Sequence, residues 1–279
     1  TIGISQIELI FVDDASTDDG STWNMLQEFE RAYPESIMIL KLEENMRQGG
    51  ARNVALQYAT GEYIAFVDAD DFVSENFLLE TYEKAKESDA DIIQFEYFYY
   101  TDRLGAVDSG RNITPEVIEI SSVSDRKRFL ISEKVTYGCW NKLYRHTLLN
   151  EAHTAYAEHV IYEEPLFVYP LLYFANKIVI LNDAYYYYRQ NDSGTMRNDM
   201  RQEETLKMHA DVQLAVWNFM KKTPFFKEYY DEIKLYFLHT YLYETLYFAK
   251  LRDFKPSYSC YKELEKTVFT EVPDYSQSV

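Results

Sequence analysis

In the stretch "YIAFVDADDF", Tyr63 to Phe72, three carboxylates follow directly on an apolar run. On an extended backbone, residues two apart point the same way, so Asp68 and Asp70 converge while Ala69 faces the opposite side. Such a pair is a clamp for a hard dication, Mg²⁺ or Mn²⁺, whose shell substrate phosphates complete. Acidic residues at this place also cap helices, and Asp71 is assigned to that role for a helix starting near Ser74. Another pair, Asp13 and Asp14, ends the run "IELIFV". Glu163 and Glu164 open a helical pattern that reaches about Ala175. Adjacent carboxylates can raise one pKa towards the range a general base needs. First-turn glutamates favoured by the helix macrodipole are the plainer reading.

Rival uses of the Asp68 cluster fail on neighbouring residues. An EF-hand loop needs glycine sixth and glutamate twelfth, where Val73 and Leu79 stand. A phosphatase of the haloacid-dehalogenase type normally carries Thr or Val where Phe72 is found. A signalling receiver domain also follows strands with acidic residues, but it leaves the second half of the chain unexplained. The five histidines form no H-x-x-x-H pair.

The elements that must position these carboxylates alternate. Strand-like runs at 7–12, 37–42, 63–68 and 90–100 are separated by helical patterns at 21–33, 47–60 and 74–88. That rhythm predicts an α/β fold, a mostly parallel Rossmann-like sheet with crossover helices. Ligands of such sheets bind beyond the carboxyl ends of the strands, where both aspartate clusters fall. Residues 101 to 120 read as a hairpin or excursion, and "KIVIL" with "AYYYYR" as a strand pair. From Asp199 the pattern is helical, with Leu206, Ala210, Leu214 and Trp217 on one face. A second long helix is expected over Phe225 to Leu251, largely buried or meeting a partner or membrane interface.

Composition sets bounds on partners. Lys and Arg number 28 against 46 Asp and Glu, a net charge of −18. That charge repels phosphate backbones, so nucleic acid is excluded as a partner. It suits a dication between carboxylates and a phosphate compound. No apolar run is long enough to span a bilayer. Cys139 and Cys260 form no CxxC pair, so neither a zinc site nor a disulfide framework is expected, and a reduced cytoplasmic setting fits.

Five ordered segments together resemble the inverting glycosyltransferases of family 2, which have the GT-A fold. "IELIFVDDASTDDGS" is similar to the family's "VDDGSTDGS" strand end, with Ala15 at the usual glycine. "ENMRQGGARNVALQYATGEYIAFVDADDFV" resembles its "N-x-G-x-x-x-ARN" and "DADD" segment. "WNKLYRHTLL", "IYEEPLF" and "YYYYRQNDSGTM" are similar to acceptor-side motifs. The resemblance runs from Ile7 to Met196.

Carried over by position, it implies that Asp14, with Asp13 beside it, contacts the nucleobase and that Arg52 lies near the nucleotide. Asn45 and Asn53 are equally read as turn and cap residues. Asp68 would touch the sugar or ribose, and Asp70 would hold the metal that bridges the diphosphate. Glu164 takes the position of the family's aspartate base, next to Glu163, with a side chain one carbon longer. Trp140, Asn141 and Lys142 would line the acceptor side, and the exposed members of Tyr185 to Tyr188 could stack on sugar rings. The family's first strand and its "P-x-Y-N" loop have no counterpart before Ile7, which would leave the nucleotide pocket short of one wall.

These readings combine into a GT-A domain over 1–196 and a helical C-terminal extension over 197–279. The expected activity is metal-dependent transfer of a sugar, with inversion, from a nucleotide-sugar donor, most often a UDP-sugar, to a glycan or lipid-linked acceptor. The expected setting is cytoplasmic, at the inner face of the membrane, with the C-terminal helices offering a membrane or homo-oligomer contact. A non-catalytic nucleotide- or glycan-binding relative is the alternative, favoured by the Glu-Glu pair.

Overall fold

The computed structural model describes residues 6–111, 113–190 and 202–277. The end of the last motif, Asn191 to Met196, and the boundary between 196 and 197 lie outside the described residues. So does Asp199, where the helical pattern was expected to begin.

Strand β1 (Leu9–Asp13) and β2 (Ile37–Lys41) pair in parallel, with Asp13 opposite Lys41. Helix α1 (Ser21–Ala32) makes the crossover between them, and α2 (Arg47–Leu56) follows. A seven-stranded sheet holds the rest. Its order is β3 (Tyr63–Ala65), β8 (Lys142–Arg145), β5 (Ile92–Thr101), β9 (Lys177–Arg189) and β4 (Phe72–Val73), with β6 (Gly105–Asp108) on β5 and β7 (Glu116–Glu119) on β9. Only β5 and β9 run parallel in it among the described residues.

The sheet is therefore mixed rather than mostly parallel. The β5–β6 hairpin needs no crossover, and β8 enters antiparallel between β3 and β5. The central strands are apolar on both faces, as a covered sheet requires: Ile92, Ile93, Phe95, Ile178 and Ile180 are all buried. The expected strand pair "KIVIL" and "AYYYYR" is one strand. Asn182 and Asp183 read as a turn, but both are exposed and the chain continues past them, with the register shifting opposite Gln94 and Glu96.

Helices α3 (Phe77–Ser88), α4 (Val123–Leu130), α5 (His146–Ala152) and α6 (Glu164–Phe174) flank the sheets. Helix α6 is buried along nearly its whole length and packs on α7 (Gln202–Met220). Leu206, Ala210 and Trp217 of α7 are buried on one face, as their spacing predicts. The second helical stretch starts later than expected, at Tyr230. It runs as α8 (Tyr230–Phe237), a π-helical segment (Leu238–Glu244) and α9 (Thr245–Leu251), before α10 (Tyr258–Glu271). Ile233, Phe237 and Tyr241 of this stretch are buried, whereas Leu235, Tyr243, Tyr247 and Leu251 are exposed. Phe167 and Leu171 of α6 share one core with Trp217, Phe237 and Leu264, so the helical part is joined to the sheet through α6.

Candidate active site

The turn after β1 positions the first aspartate pair. Buried Asp13 accepts the Ser16 amide at 2.9 Å, and Ala15 adopts φ 56°, the left-handed region that the family's glycine would suit. Asp14 Oδ1 accepts the Met46 amide at 2.7 Å, and its carbonyl accepts Asn45 Nδ2 at 3.1 Å. Both aspartates thus shape the carboxyl ends of β1 and β2. An open groove of about 560 Å³ lies there, lined by Ala15, Ser16, Lys41, Leu42 and Glu43. A smaller cavity near the start of α3 holds none of the predicted site residues.

Arg52 is the hub of the site. Its Nη2 lies 2.5 Å from Asp68 Oδ1, its Nη1 lies 2.6 Å from Glu163 Oε1, and its guanidinium sits 5.2 Å from the Tyr156 ring centroid. Burial opposes its charge, but the Asp68 and Glu163 carboxylates outweigh that and hold it firmly cationic. Helix α2 comes close enough for this because of Gly49. A Cβ built there would lie 2.1 Å from Ala157 O and 3.0 Å from Glu163 Cγ. Asn53 is neither a turn nor a cap residue. It exchanges hydrogen bonds with the backbone of Tyr156, at 2.8 and 3.0 Å, and fixes the segment leading to Glu163.

Glu164 begins α6. Its Oε1 accepts the Cys139 amide at 2.7 Å, and the residue keeps a partly exposed edge. Burial raises its pKa, against the Cys139 hydrogen bond and the Arg52 charge, and Glu163 adds to the rise. The longer glutamate is therefore anchored by one oxygen, in an environment that strengthens it as a base.

Asp71 is not a helix cap. A two-residue pairing, Phe72 with Tyr187 and Val73 with Tyr186, intervenes before α3, whose N-cap is Asn76. Asp71 instead accepts the Arg189 amide and the Tyr186 hydroxyl, both at 2.7 Å. Burial pushes its carboxyl up to about 6. The same Tyr186 oxygen accepts the Asp68 amide at 3.0 Å, so one tyrosine of β9 holds the D-x-D turn. Sequence reasoning missed that role; the alternation within "YYYYR", which turns Tyr186 and Tyr188 to one face, is its only signal.

Asp70 is exposed and Asp68 largely buried, and the backbone between them is a turn rather than extended, because the Asp71 amide donates to the Asp68 carbonyl at 3.1 Å. Among the described residues no cluster of three or more His, Cys, Asp or Glu side chains gathers as a metal cage. The donor set still fits a hard dication. Two carboxylates with an open side are how Mg²⁺ is usually held when substrate phosphates supply the remaining oxygens.

The predicted acceptor residues separate. Trp140 is partly exposed and stacks on Tyr188, with centroids 5.5 Å apart and planes at 12°, beside Tyr186 and Tyr97. Asn141 and Lys142 are buried and line no surface. Lys142 Nζ donates to Gly138 O at 2.6 Å, Asn141 Oδ1 at 2.8 Å and Thr136 Oγ1 at 3.0 Å, which uses all three of its protons. Burial pushes its pKa down to about 7. The two residues brace the loop that carries Trp140.

Acidic residues after β1 and β3, an arginine hub on α2 and a glutamate pair at the start of α6, carried by a two-stranded and a mixed seven-stranded sheet, fit a GT-A fold. Residues 3–152, more than half of the chain, match the model of glycosyl transferase family 2, and the protein belongs to that family. The receiver-domain reading is thereby removed. The chain is 30% identical over 207 residues to glycosyltransferase GlyG of Streptococcus pneumoniae, a match covering 69% of this chain and 64% of GlyG. It is 29% identical over 183 residues to the poly(ribitol-phosphate) beta-glucosyltransferase of Bacillus spizizenii, covering 65% of this chain and 27% of that protein. In structure it resembles Staphylococcus aureus TarS in complex with UDP-GlcNAc, with a TM-score of 0.63 at 20% identity, over 99% of this chain and 84% of that one. The matched part is thus less than two thirds of the length of either curated relative. Among the described residues no helix is long and apolar enough to cross a membrane.

Proposed function

We propose that this protein transfers a sugar, with inversion, from a nucleotide-sugar donor of the UDP type to a hydroxyl of a glycan or lipid-linked acceptor. The observation that carries the reading is the Arg52 bridge, which brings donor-side Asp68 and base-side Glu163 onto one guanidinium. The groove beside Ala15 and Lys41 receives the nucleotide. Asp68 and Asp70 would hold Mg²⁺ or Mn²⁺ against the diphosphate, and when bound the dication offsets the charge that builds on the leaving group. Glu164 takes the proton of the attacking hydroxyl, its carboxylate aimed by the Cys139 amide. Trp140 and Tyr188 offer a stacking face for the acceptor sugar. The relatives support the chemistry by name: GlyG is a glycosyltransferase, and TarS has been crystallised with UDP-GlcNAc.

The test is a panel of nucleotide sugars with Mn²⁺ or Mg²⁺ and a polyol-phosphate or glycan acceptor, followed by release of nucleoside diphosphate. Metal-dependent release that is lost in both Asp70→Asn and Glu164→Gln supports the transferase. Donor binding without turnover on any acceptor would instead indicate the binding relative that the Glu-Glu pair allows.

A further inference from the structure

Tyr162, directly before the glutamate pair, adopts φ 66°, a backbone conformation rare for a bulky side chain. The surrounding structure holds it there through its side chain. Its hydroxyl accepts Arg252 Nη2 at 2.9 Å. Its ring stacks on Phe248, with centroids 5.8 Å apart and planes at 17°, and meets the edge of His209 at 5.3 Å and 90°. Phe248 lies on α9, Arg252 just beyond it and His209 on α7, so all three holds come from the helical C-terminal part.

That grip is itself built from buried contacts. His209 Nδ1 pairs with Thr245 Oγ1 at 2.7 Å, and its ring packs edge-on against Phe248 at 5.0 Å. Thr245 and Phe248 follow the π-helical segment Leu238–Glu244. Each wider turn adds a residue to the ordinary helical repeat and rotates everything after it by about 100°. In this phase α9 turns Thr245 to His209 and Phe248 to Tyr162. π-Helical turns recur at functional sites, and here the segment sets the phase of the residues that clamp the Glu163–Glu164 loop.

We infer that Tyr162 is a positioning residue through which the C-terminal helices aim Glu163 at Arg52 and Glu164 at the acceptor. The inference rests on the proposed transferase reading for its catalytic consequence, but its geometric part is tested without turnover. Glu164 accepts the Cys139 amide, so that amide reports where the glutamate points. Hydrogen exchange of the full chain is compared between the native protein and Tyr162→Gly, which keeps the φ 66° backbone easy but removes the ring. The expected result is exchange at Cys139 faster by about tenfold, with Ile92 and Ile178 amides in the central strands unchanged. In turnover, kcat of Tyr162→Gly falls at least about tenfold while the donor KM stays within about twofold, and Tyr162→Phe, which keeps both ring contacts, recovers most of the loss. Should Tyr162→Gly not fold, Phe248→Ala, which removes the stacked ring from α9, carries the same expectation at about threefold. Unchanged Cys139 exchange overturns the inference, as does acceleration shared equally by Ile92 and Ile178. If the native chain turns over no nucleotide sugar, the transferase reading fails, and the Cys139 result still decides the clamp.

Discussion

Asp68 and Glu163, from opposite halves of the fold, are bound to the same guanidinium, at 2.5 and 2.6 Å from the two terminal nitrogens of Arg52. Only a planar fork reaches both carboxylates at once, so lysine does not replace it. All three groups are largely buried, and removing the arginine leaves two carboxylates facing each other. Arg52→Gln should cost about 3–5 kcal/mol of stability. Arg52→Lys should recover part of that stability but little turnover. Urea denaturation beside nucleoside diphosphate release separates the two effects, and full turnover in Arg52→Lys would refute the hub.

The pH dependence of turnover should carry the signature of Glu164. A base works deprotonated, and burial raises this carboxyl above the ordinary glutamate value of 4.5. The acid limb of kcat is therefore expected above that value. Glu164→Gln should lower kcat by about 10²–10⁴ and remove the limb. Glu164→Asp, the family's usual residue, should keep the limb and move it. A profile left unchanged by Glu164→Gln would assign the base elsewhere.

Gly49 is a packing requirement with a catalytic consequence. Any side chain at this position meets the Ala157 carbonyl and Glu163 Cγ, so α2 and the glutamate loop must part. Gly49→Ala should destabilise by about 1–3 kcal/mol. It should also lower turnover more than the lost folded fraction explains. Thermal melts and turnover on the same samples check both.

His209 should make stability fall in acid. Burial lowers its pKa from 6.5 to about 4, so the unfolded chain binds a proton in that interval and the folded chain does not. The contribution is complete above 6.5 and is lost as pH falls through about 4. Its ceiling is about 3 kcal/mol at 1.36 kcal/mol per pKa unit. His209→Asn, which can keep a partner for Thr245, should flatten this part of the stability profile in urea titrations between pH 7.5 and pH 4.5. An identical slope in both proteins would show that the imidazole carries no such linkage.

Much of this site is legible because strand ends and acidic pairs coincide in the chain. The apolar runs before Asp13 and Asp68 predict the strands, but the extended backbone expected through "VDADD" is a turn, closed by the Asp71 amide on the Asp68 carbonyl at 3.1 Å. What escapes is decided between distant segments. Asp71 looks like a cap until β4 pairs with β9 and gives it Tyr186 and Arg189 instead. Lys142 is expected to line the acceptor side, and only the fold of residues 136–141 around it shows a buried strut. The "mostly parallel" expectation fails for the same reason, because helix–strand alternation is local and the placement of β8 is not.

Tyr186 also sets a direction. A backbone amide can only donate, so the Asp68 N–H must give to the phenol oxygen, and the single phenol proton is left for Asp71. The resulting hydrogen-bond chain has one polarity, from amide through hydroxyl to carboxylate, and it ties the backbone of Asp68 to the side chain of Asp71. Phenylalanine at 186 would fill the same space and break both links at once, so a single oxygen atom of the far strand serves two points of the D-x-D turn.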